Sequence, residues 1–219
     1  YCTNAQGQGP AWANSLFEDN AEFGLGMRVG VEKIRQGLED VMRKAISECN
    51  CCSEELKGVM QEWIDARHLA AASREVTARL LPLVEACDCD YCRTILEYKD
   101  WLVKRSQWIF GGDGWGYDIG FGGVDHVLAS GEDVNILIVD TEVYSNTGGQ
   151  SSKSTPVGAV AKFASAGKRI RKKQLTGYSN AGCITYVELD SGAKNNLEAL
   201  EALVNYAMDK DIPYFAVNV

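Results

Sequence analysis

The sequence predicts an α/β fold with a parallel sheet and a helical N-terminal half. Two observations support this prediction. Apolar residues recur at helical spacing through the first hundred residues, and from about residue 106 short apolar runs alternate with helical segments. With 219 residues, 46% of them hydrophobic, the chain is long enough for one sizeable domain with an ordinary core.

The N-terminal half is predicted to be mainly helical. Residues 1–12 indicate a loop, and residues 15–18 (SLFE) form a capping box. Glycines 24, 26 and 30 weaken the helix that follows, or allow a neighbour to approach it closely. Residues 53–105 are predicted to be helical with breaks at residues 80–82 and 87–90, and their Met and Trp stripe indicates core. The first helix has the apolar stripe Phe23, Met27, Val31, Ile34, Leu38, Val41, Met42 and Ala45, and the second region has Leu56, Met60, Trp63 and Ile64.

The C-terminal half is predicted to build the sheet. Strands are expected at residues 108–110 and 134–139, each followed by a polar loop, with a helix at residues 119–130 between them. The loop at residues 142–156 is expected to lead into another helix near Val157. A second β-α-β unit is expected at residues 179–219, with strands at 183–189 and 214–219. Its helix has a buried face formed by Leu197, Leu200, Leu203, Val204 and Ala207.

Charge and hydropathy exclude several classes of partner. The net charge of −8 argues against nucleic acid, because phosphate binding favours a basic surface. No apolar run approaches the roughly 20 residues that a membrane span needs, and no secretory signal opens the chain. A cytoplasmic protein with reduced thiols is therefore expected.

Eight cysteines include the pattern Cys87, Cys89 and Cys92, a C-x-C-x-x-C. A metal site there would need a fourth ligand from Cys49, Cys51 or Cys52. The alternative is that both groups of cysteines lie in polar connections between helices.

The loops after the first two strands have the composition of a Mg²⁺-diphosphate site. Gly112, Asp113 and Gly114 place a carboxylate between glycines, and Asp140 and Thr141 supply further oxygens. Phosphates bind free backbone N–H groups, and Mg²⁺ prefers hard oxygen ligands. One strand–helix–strand crossover brings both loops to the same sheet edge. A tight turn with a solvated aspartate is the alternative.

Three segments resemble pyruvate:ferredoxin (flavodoxin) oxidoreductases. The similarity extends from Tyr1 to about residue 178 and implies a thiamine-diphosphate-binding fold, incomplete at both ends, with residues 53–105 as a helical insertion. The segments are residues 9–20 (GPAWANSLFEDN), 111–135 (GGDGWGYDIGFGGVDHVLASGEDVN) and 140–153 (DTEVYSNTGGQSSK).

The resemblance implies a role for each matching residue. Asp113, the Thr141 hydroxyl and the Val143 carbonyl would bind Mg²⁺, and Asn146 would lie near the substrate as the catalytic candidate. It also implies oxidative decarboxylation of pyruvate or another 2-oxoacid to an acyl-CoA, with electrons passing through iron–sulfur clusters to ferredoxin or flavodoxin. The expected partners are the 2-oxoacid, coenzyme A, the electron carrier, the remaining domains and a second copy in a homodimer. The cofactor-binding residues would be Gly112, Asp113, Gly114, Trp115, Thr141, Ser145, Asn146 and Thr147.

Three departures from the family pattern lower the expected activity. The catalytic glutamate belongs to another domain, and the cluster ligands lie mainly upstream of Tyr1, so Cys2, Cys87, Cys89 and Cys92 are not expected to be those ligands. Both ends are expected to be cut. Residues from about 182 to 219 instead resemble anaerobic ribonucleoside-triphosphate reductase, which predicts a join near residues 178–182. We therefore expect the chain alone to be inactive.

Two alternatives from other classes stay open. One is a non-catalytic binding or structural module, and the other is a fragment related to anaerobic ribonucleotide reductase. His126 is expected to be exposed or capping. The basic run at residues 168–173 (KRIRKK) is expected to form a solvated face, with the alternative that it docks an acidic electron carrier or a coenzyme A phosphate.

Overall fold

The computed structural model describes residues 18–175, 184–188 and 214–218, which divide between two compact units. We call Gly26–Gln107 with Asn205–Asp211 the helical unit, and Tyr1–Leu25, Trp108–Val204 and Ile212–Val219 the site unit. The predicted loop at residues 1–12, most of the predicted capping box and the predicted helix between the two C-terminal strands lie outside the described residues.

The helical unit confirms the prediction of helices with breaks. A 3₁₀ turn, Lys99–Trp101, follows the last helix. Pro82 does not interrupt the third helix where predicted but lies in its last turn, because a proline there removes a single N–H close to the helix end. The helices are α1 (Asn20–Glu48, which begins in the site unit), α2 (Glu54–Ala66), α3 (Ala70–Glu85) and α4 (Asp90–Glu97).

The core of the helical unit contains most of the predicted apolar stripes. Met60 and Trp63 are fully buried, as is Met42 from α1. Phe23 and Met27 at the start of the α1 stripe are 41% and 43% exposed, so that end of the predicted stripe is not core.

A buried arginine ties α1 to the turn after α4. The Arg35 guanidinium donates to the carbonyl of Leu102 at 2.9 Å and to those of Trp101 and Arg67. Burial and the nearby Arg67 charge lower the pKa of Arg35 to about 10. The Leu102 carbonyl also accepts from the Trp63 indole N–H at 2.9 Å. Side-chain N–H groups of Arg35 and Trp63 thus hydrogen-bond backbone carbonyls in the connections after α2 and α4 and hold the helical unit together.

The site unit contains the predicted parallel pair. β1 (Trp108–Gly111) and β2 (Asn135–Ile138) run parallel, with Ile109 opposite Ile136. Between them come α5 (Asp113–Tyr117) and α6 (Phe121–Ser130), the latter ending at Gly131 with φ 69°, which glycine adopts without strain.

The C-terminal strands also form a parallel pair. They are β5 (Ile184–Glu188) and β6 (Tyr214–Asn218), and Cα atoms of β6 lie within 8 Å of Cα atoms of β2. The two predicted strands are confirmed, and they form a two-stranded sheet of their own.

The predicted helix near Val157 is wrong. No helix is present in residues 157–175, the part of this segment that the structure describes. Phe163 has φ 65°, and Gly158 and Gly167 have φ 83° and 87°, values that a right-handed helix cannot include. The segment instead pairs with a preceding hairpin, formed by β3 (Val143–Tyr144) and β4 (Gln150–Ser151), through the bridge of Lys162 to Gln150.

Candidate functional site

The site lies where β1 and β2 end. Gly112 and Asp113 follow β1 directly, and Asp140 and Thr141 come just after β2. The Thr141 amide donates to Asp113 Oδ1 at 3.0 Å, so the two loops are joined across 28 residues of sequence. The expectation that one crossover brings these loops together is confirmed.

Oxygen atoms converge at the Thr141 hydroxyl. Thr141 Oγ1 lies 3.4 Å from Asp113 Oδ2, 3.1 Å from the Val143 carbonyl oxygen and 2.6 Å from Ser145 Oγ. The structure therefore brings together the three oxygens that the resemblance implies as Mg²⁺ ligands. Carboxylate, hydroxyl and carbonyl oxygens are the hard donors that Mg²⁺ binds, so the donor set fits this ion.

A short hairpin completes one side of the site. β3 (Val143–Tyr144) pairs antiparallel with β4 (Gln150–Ser151), a hairpin that the sequence was not expected to form. Gly148 and Gly149 make its turn, with φ 116° and 84°. Glu142 precedes it with φ 63°, an uncommon conformation for a residue with a Cβ. This turn orients the Thr141 hydroxyl and the Val143 carbonyl toward each other.

These loops line a cavity of about 740 Å³ within the site unit. Most of the predicted binding residues line it, and Ser145, Asn146 and Thr147 are exposed at its surface. It also includes residues for which the sequence indicated no role. The predicted lining residues are Gly112, Asp113, Gly114, Thr141, Val143, Ser145, Asn146 and Thr147, and the additional ones are Glu18, Asn20, Phe110, Gly111, Ile119, Val139 and Tyr144.

Part of the missed set had a signal in the sequence. Glu18 and Asn20 belong to the 9–20 segment that carries the family resemblance. Asn20 Nδ2 donates to the Phe110 carbonyl at 3.3 Å, which places the start of α1 beside the end of β1. Tyr144 lies in the 140–153 segment that also carries the resemblance, although no role was assigned to it.

Trp115 occupies a different place from the other predicted binding residues. Its ring is fully buried in the core of the site unit, and its indole nitrogen has no hydrogen-bond partner. A Cβ on Gly111 would lie 2.1 Å from this ring, so Trp115 supports the loop from below and does not line the cavity.

The glycines of the loop differ in the space around them. A Cβ on Gly114 would lie 2.5 Å from the Tyr144 ring, whereas a Cβ on Gly112 would meet, among the described residues, only the Val139 carbonyl oxygen at 3.8 Å. Gly112 thus faces open cavity, where an added methyl group would take space from a ligand.

The pKa values of Asp113 and Asp140 are shifted in opposite directions. Burial raises the pKa of Asp113 to about 6, with the Asp140 charge acting in the same direction and the Thr141 amide hydrogen bond opposing it. Burial also disfavours the charge of Asp140, but Lys172, Tyr117 and the Glu142 amide together hold its pKa below the usual range. A divalent cation beside Asp113 would favour its ionised form.

The carboxylate of Asp140 is fully used inside the protein. Oδ2 accepts from the Tyr117 hydroxyl at 2.7 Å and pairs with Lys172 Nζ at 2.6 Å, and Oδ1 accepts from the Glu142 amide at 2.9 Å. Asp140 is 1% exposed and does not line the cavity. It fixes the loop that carries Thr141, a role that sequence patterns did not indicate.

The expectation that the basic run is a solvated face is correct only for its middle. Arg169, Ile170 and Arg171 are exposed. Lys168 Nζ donates to the Ser152 and Thr155 carbonyls, at 2.7 and 2.6 Å, and Lys173 Nζ donates to the Tyr117 carbonyl at 3.2 Å. Burial lowers the pKa of both lysines. His126 is exposed on α6, as predicted.

None of the helices in the described part of the chain has the combination of length and apolarity that crossing a bilayer demands.

Comparison with known proteins identifies two relationships. The family model of the anaerobic ribonucleoside-triphosphate reductases matches residues 138–219. The chain is 56% identical over 185 residues to a pyruvate-flavodoxin oxidoreductase of Klebsiella pneumoniae, covering 80% of the chain and 15% of that protein. It is 46% identical over 211 residues to a pyruvate:ferredoxin oxidoreductase of Moorella thermoacetica, covering 93% of the chain and 18% of that protein.

The two matches overlap. Coverage of 93% is more than residues 1–178 alone can supply, so the oxidoreductase similarity includes part of the predicted tail. The reductase match begins at residue 138, well before the predicted join. The position of the join stays a prediction. The chain spans less than a fifth of the length of these relatives. Over most of its own length it belongs to the family of pyruvate-flavodoxin and pyruvate:ferredoxin oxidoreductases.

Proposed function

We propose that this chain is the segment of a pyruvate:ferredoxin or pyruvate:flavodoxin oxidoreductase that holds the diphosphate end of thiamine diphosphate through Mg²⁺. The observation that carries the proposal is the convergence of Asp113 Oδ2, Thr141 Oγ1 and the Val143 carbonyl at the edge of a cavity. Three hard oxygens from two loops suit an octahedral ion that keeps further sites for phosphate and water.

The residues around the oxygens have separable tasks. Gly112 leaves room for a diphosphate to approach the backbone, and Ser145, Asn146 and Thr147 offer polar groups at the open side. When bound, thiamine diphosphate supplies the electron sink for decarboxylation of a 2-oxoacid. The chain's own contribution is to bind and orient that group.

The whole enzyme's activity needs more than this chain. The relatives are named for pyruvate and for flavodoxin or ferredoxin, and the chain spans 15% to 18% of their lengths. We assign to the remaining domains the catalytic glutamate, the iron–sulfur clusters and the surfaces for coenzyme A, the electron carrier and a second subunit. The reduced thiols expected for such an enzyme suit the cytoplasm.

Calorimetry on the full 219-residue chain tests the proposal. Titration with thiamine diphosphate should give heat of binding that depends on Mg²⁺. Asp113→Asn preserves the shape of the side chain but removes its charge, and it should weaken binding by about tenfold or more. The exposed Asp125→Asn on α6 is the matched control and should bind as the unaltered chain does.

Absence of Mg²⁺-dependent heat in the unaltered chain, with the fold verified by circular dichroism, would favour a non-catalytic structural module. Equal binding by Asp113→Asn and the unaltered chain would place the ion elsewhere.

The second candidate is a segment related to anaerobic ribonucleoside-triphosphate reductase, favoured by the match over residues 138–219. Titration with a ribonucleoside triphosphate separates the two. Triphosphate binding that Asp113→Asn does not weaken would support this candidate over the first.

A further inference from the structure

Four cysteines in the helical unit come together around one point. The Sγ atoms of Cys52, Cys87, Cys89 and Cys92, which we call the cysteine quartet, all lie within 4.8 Å of one another. Cys52 is 4.0 Å from Cys87 and 3.9 Å from Cys89, and Cys87 is 3.7 Å from Cys89, measured between Sγ atoms. Four sulfurs bound at about 2.3 Å to one tetrahedral Zn²⁺ lie about 3.8 Å apart.

The quartet is built by two connections that are distant in sequence. Cys52 lies between α1 and α2, whereas Cys87 and Cys89 lie between α3 and α4 and Cys92 is in the first turn of α4. The fourth position that the C-x-C-x-x-C pattern left open is therefore filled by Cys52. Cys49 and Cys51 form a neighbouring pair outside the quartet, 3.6 Å between Sγ atoms, and the Cys49 side chain also contacts Cys52.

The surroundings favour sulfur ligation over solvation. Both groups of cysteines lie in connections between helices, as the alternative prediction had it, but Cys52, Cys89 and Cys92 are buried in the core of the helical unit. Cys89 caps α4 and its Sγ accepts from the Cys92 amide at 3.4 Å, a contact that stabilises a thiolate. The carboxylates of Asp88 and Asp90 are more than nine-tenths exposed and pair with Arg93, which keeps oxygen ligands away from the quartet.

Other arrangements of four cysteines fit less well. A disulfide joins its sulfurs at about 2.05 Å, far shorter than these separations, and the four cysteines are free thiols. An iron–sulfur cluster places iron and sulfide between its cysteines, and this spreads the cysteine sulfurs more widely than a single ion does.

We propose that the cysteine quartet binds one Zn²⁺ ion as a closed, structural site. The four thiols lose their protons to solvent, and the resulting thiolates form four Zn–S bonds with no change in oxidation state. Because all four positions are occupied by protein, no site is left for substrate or water. The ion would link the α1–α2 connection to the α3–α4 connection. This proposal is independent of thiamine diphosphate binding.

Metal analysis of the purified full chain tests the site. The chain, prepared under reducing conditions from cells supplied with zinc, should contain one Zn²⁺ per chain by plasma mass spectrometry. Cys89→Ser should lose this zinc, whereas Cys51→Ser, the matched control two residues after Cys49 and outside the quartet, should retain it. A strong chelator should lower the Tm of the unaltered chain and of Cys51→Ser by roughly 5 °C or more.

Two further measurements protect the test from a variant that fails to fold. Cys87→Ser alters the most exposed member of the quartet, and its Tm should not respond to the chelator. Co²⁺ added to the metal-free chain should give the visible and charge-transfer bands of tetrahedral thiolate ligation, removed by one equivalent of Zn²⁺.

Several results would overturn the proposal. These are zinc retained by Cys89→Ser, iron accompanied by acid-labile sulfide, disulfides within the quartet in a chain prepared under reductant, or the absence of stoichiometric metal and of thiolate–Co²⁺ bands.

Discussion

Asp113 and Asp140 are neighbouring buried carboxylates with opposite partners. Asp113 meets a hydroxyl and an amide at the cavity, while Asp140 has an ammonium, a phenol and an amide. Because a buried charge is costly without a partner, Asp140 is stable as a carboxylate, whereas Asp113 has no cationic partner among the described residues. Lys172, from the basic run at residues 168–173, thus neutralises the buried Asp140 carboxylate beside the site.

Replacing Lys172 by Met is expected to make stability depend on pH. The depressed pKa of Asp140 contributes stability above its unfolded value of about 3.9, and this contribution is lost as pH falls through the folded pKa. Lys172→Met should therefore lower the free energy of unfolding by about 1–3 kcal/mol at pH 7 and by much less near pH 3.

Urea denaturation at both pH values measures this effect, with the exposed Arg171→Met as control. A loss of equal size at pH 7 and pH 3 would show that Lys172 contributes through packing and not through the Asp140 charge.

At the scale of elements, α5 and the β3 hairpin meet through a glycine. Gly114 in α5 lies against the Tyr144 ring in β3, and Gly112 just before α5 borders the cavity. The two glycines of one motif are therefore needed for different reasons: Gly114 because a side chain would clash with Tyr144, and Gly112 because a side chain would fill part of the cavity.

Substituting each glycine by alanine should separate these demands. Gly114→Ala is expected to cost about 1–3 kcal/mol of folding free energy, because its methyl group overlaps the Tyr144 ring. Gly112→Ala should change stability by less than about 0.5 kcal/mol but weaken binding of Mg²⁺ and thiamine diphosphate. Urea denaturation gives the first quantity and calorimetry the second. If Gly112→Ala binds normally, the diphosphate does not approach this backbone.

Elements with a clear apolar period were predictable, and those set by local turns were not. The apolar stripes of α1 and α2 and the β1 and β2 runs gave correct elements because burial selects those periods. The predicted helix near Val157 failed, because positive φ at Phe163 carries no sequence signal. In the site, spacing anticipated that Asp113 and Thr141 meet, and resemblance indicated Val143. The burial of Trp115 and the Asp140–Lys172 pair depend on tertiary packing that neither could indicate.

At the scale of the whole molecule, the boundary between the two compact units does not coincide with the predicted join between the two similar families. The helical unit is Gly26–Gln107 with a short later segment, whereas the predicted join near residues 178–182 falls within the site unit. Strand β6, from the predicted tail, lies beside β2 of the oxidoreductase-like part. Strand β6 is thus close to the strand whose end carries Asp140 and Thr141.

Ending the chain after residue 178 is expected to loosen β2. Removal of β6 exposes a strand that is buried along its whole length, so amide hydrogen exchange should rise at Ile136, Leu137 and Ile138. Exchange at Met60 and Trp63 of α2, fully buried in a core formed by residues 38–102, provides the internal control. Unchanged protection of β2 in the shortened chain would show that residues 179–219 do not dock on the site unit.

The different surroundings of Gly111, Gly112 and Gly114 bear on what such a glycine-rich signature can diagnose. Gly111 and Gly114 pack against the Trp115 and Tyr144 rings, where a side chain would clash. Folding alone therefore requires glycine at both positions, whether or not a ligand binds. Of the three, Gly112 alone could be replaced by a larger residue without a clash with the described residues, provided that no ligand occupies the space beside it. If the loop binds a diphosphate as proposed, loss of Gly112 in a protein that keeps Gly111 and Gly114 would mark a fold that is retained after cofactor binding has been lost.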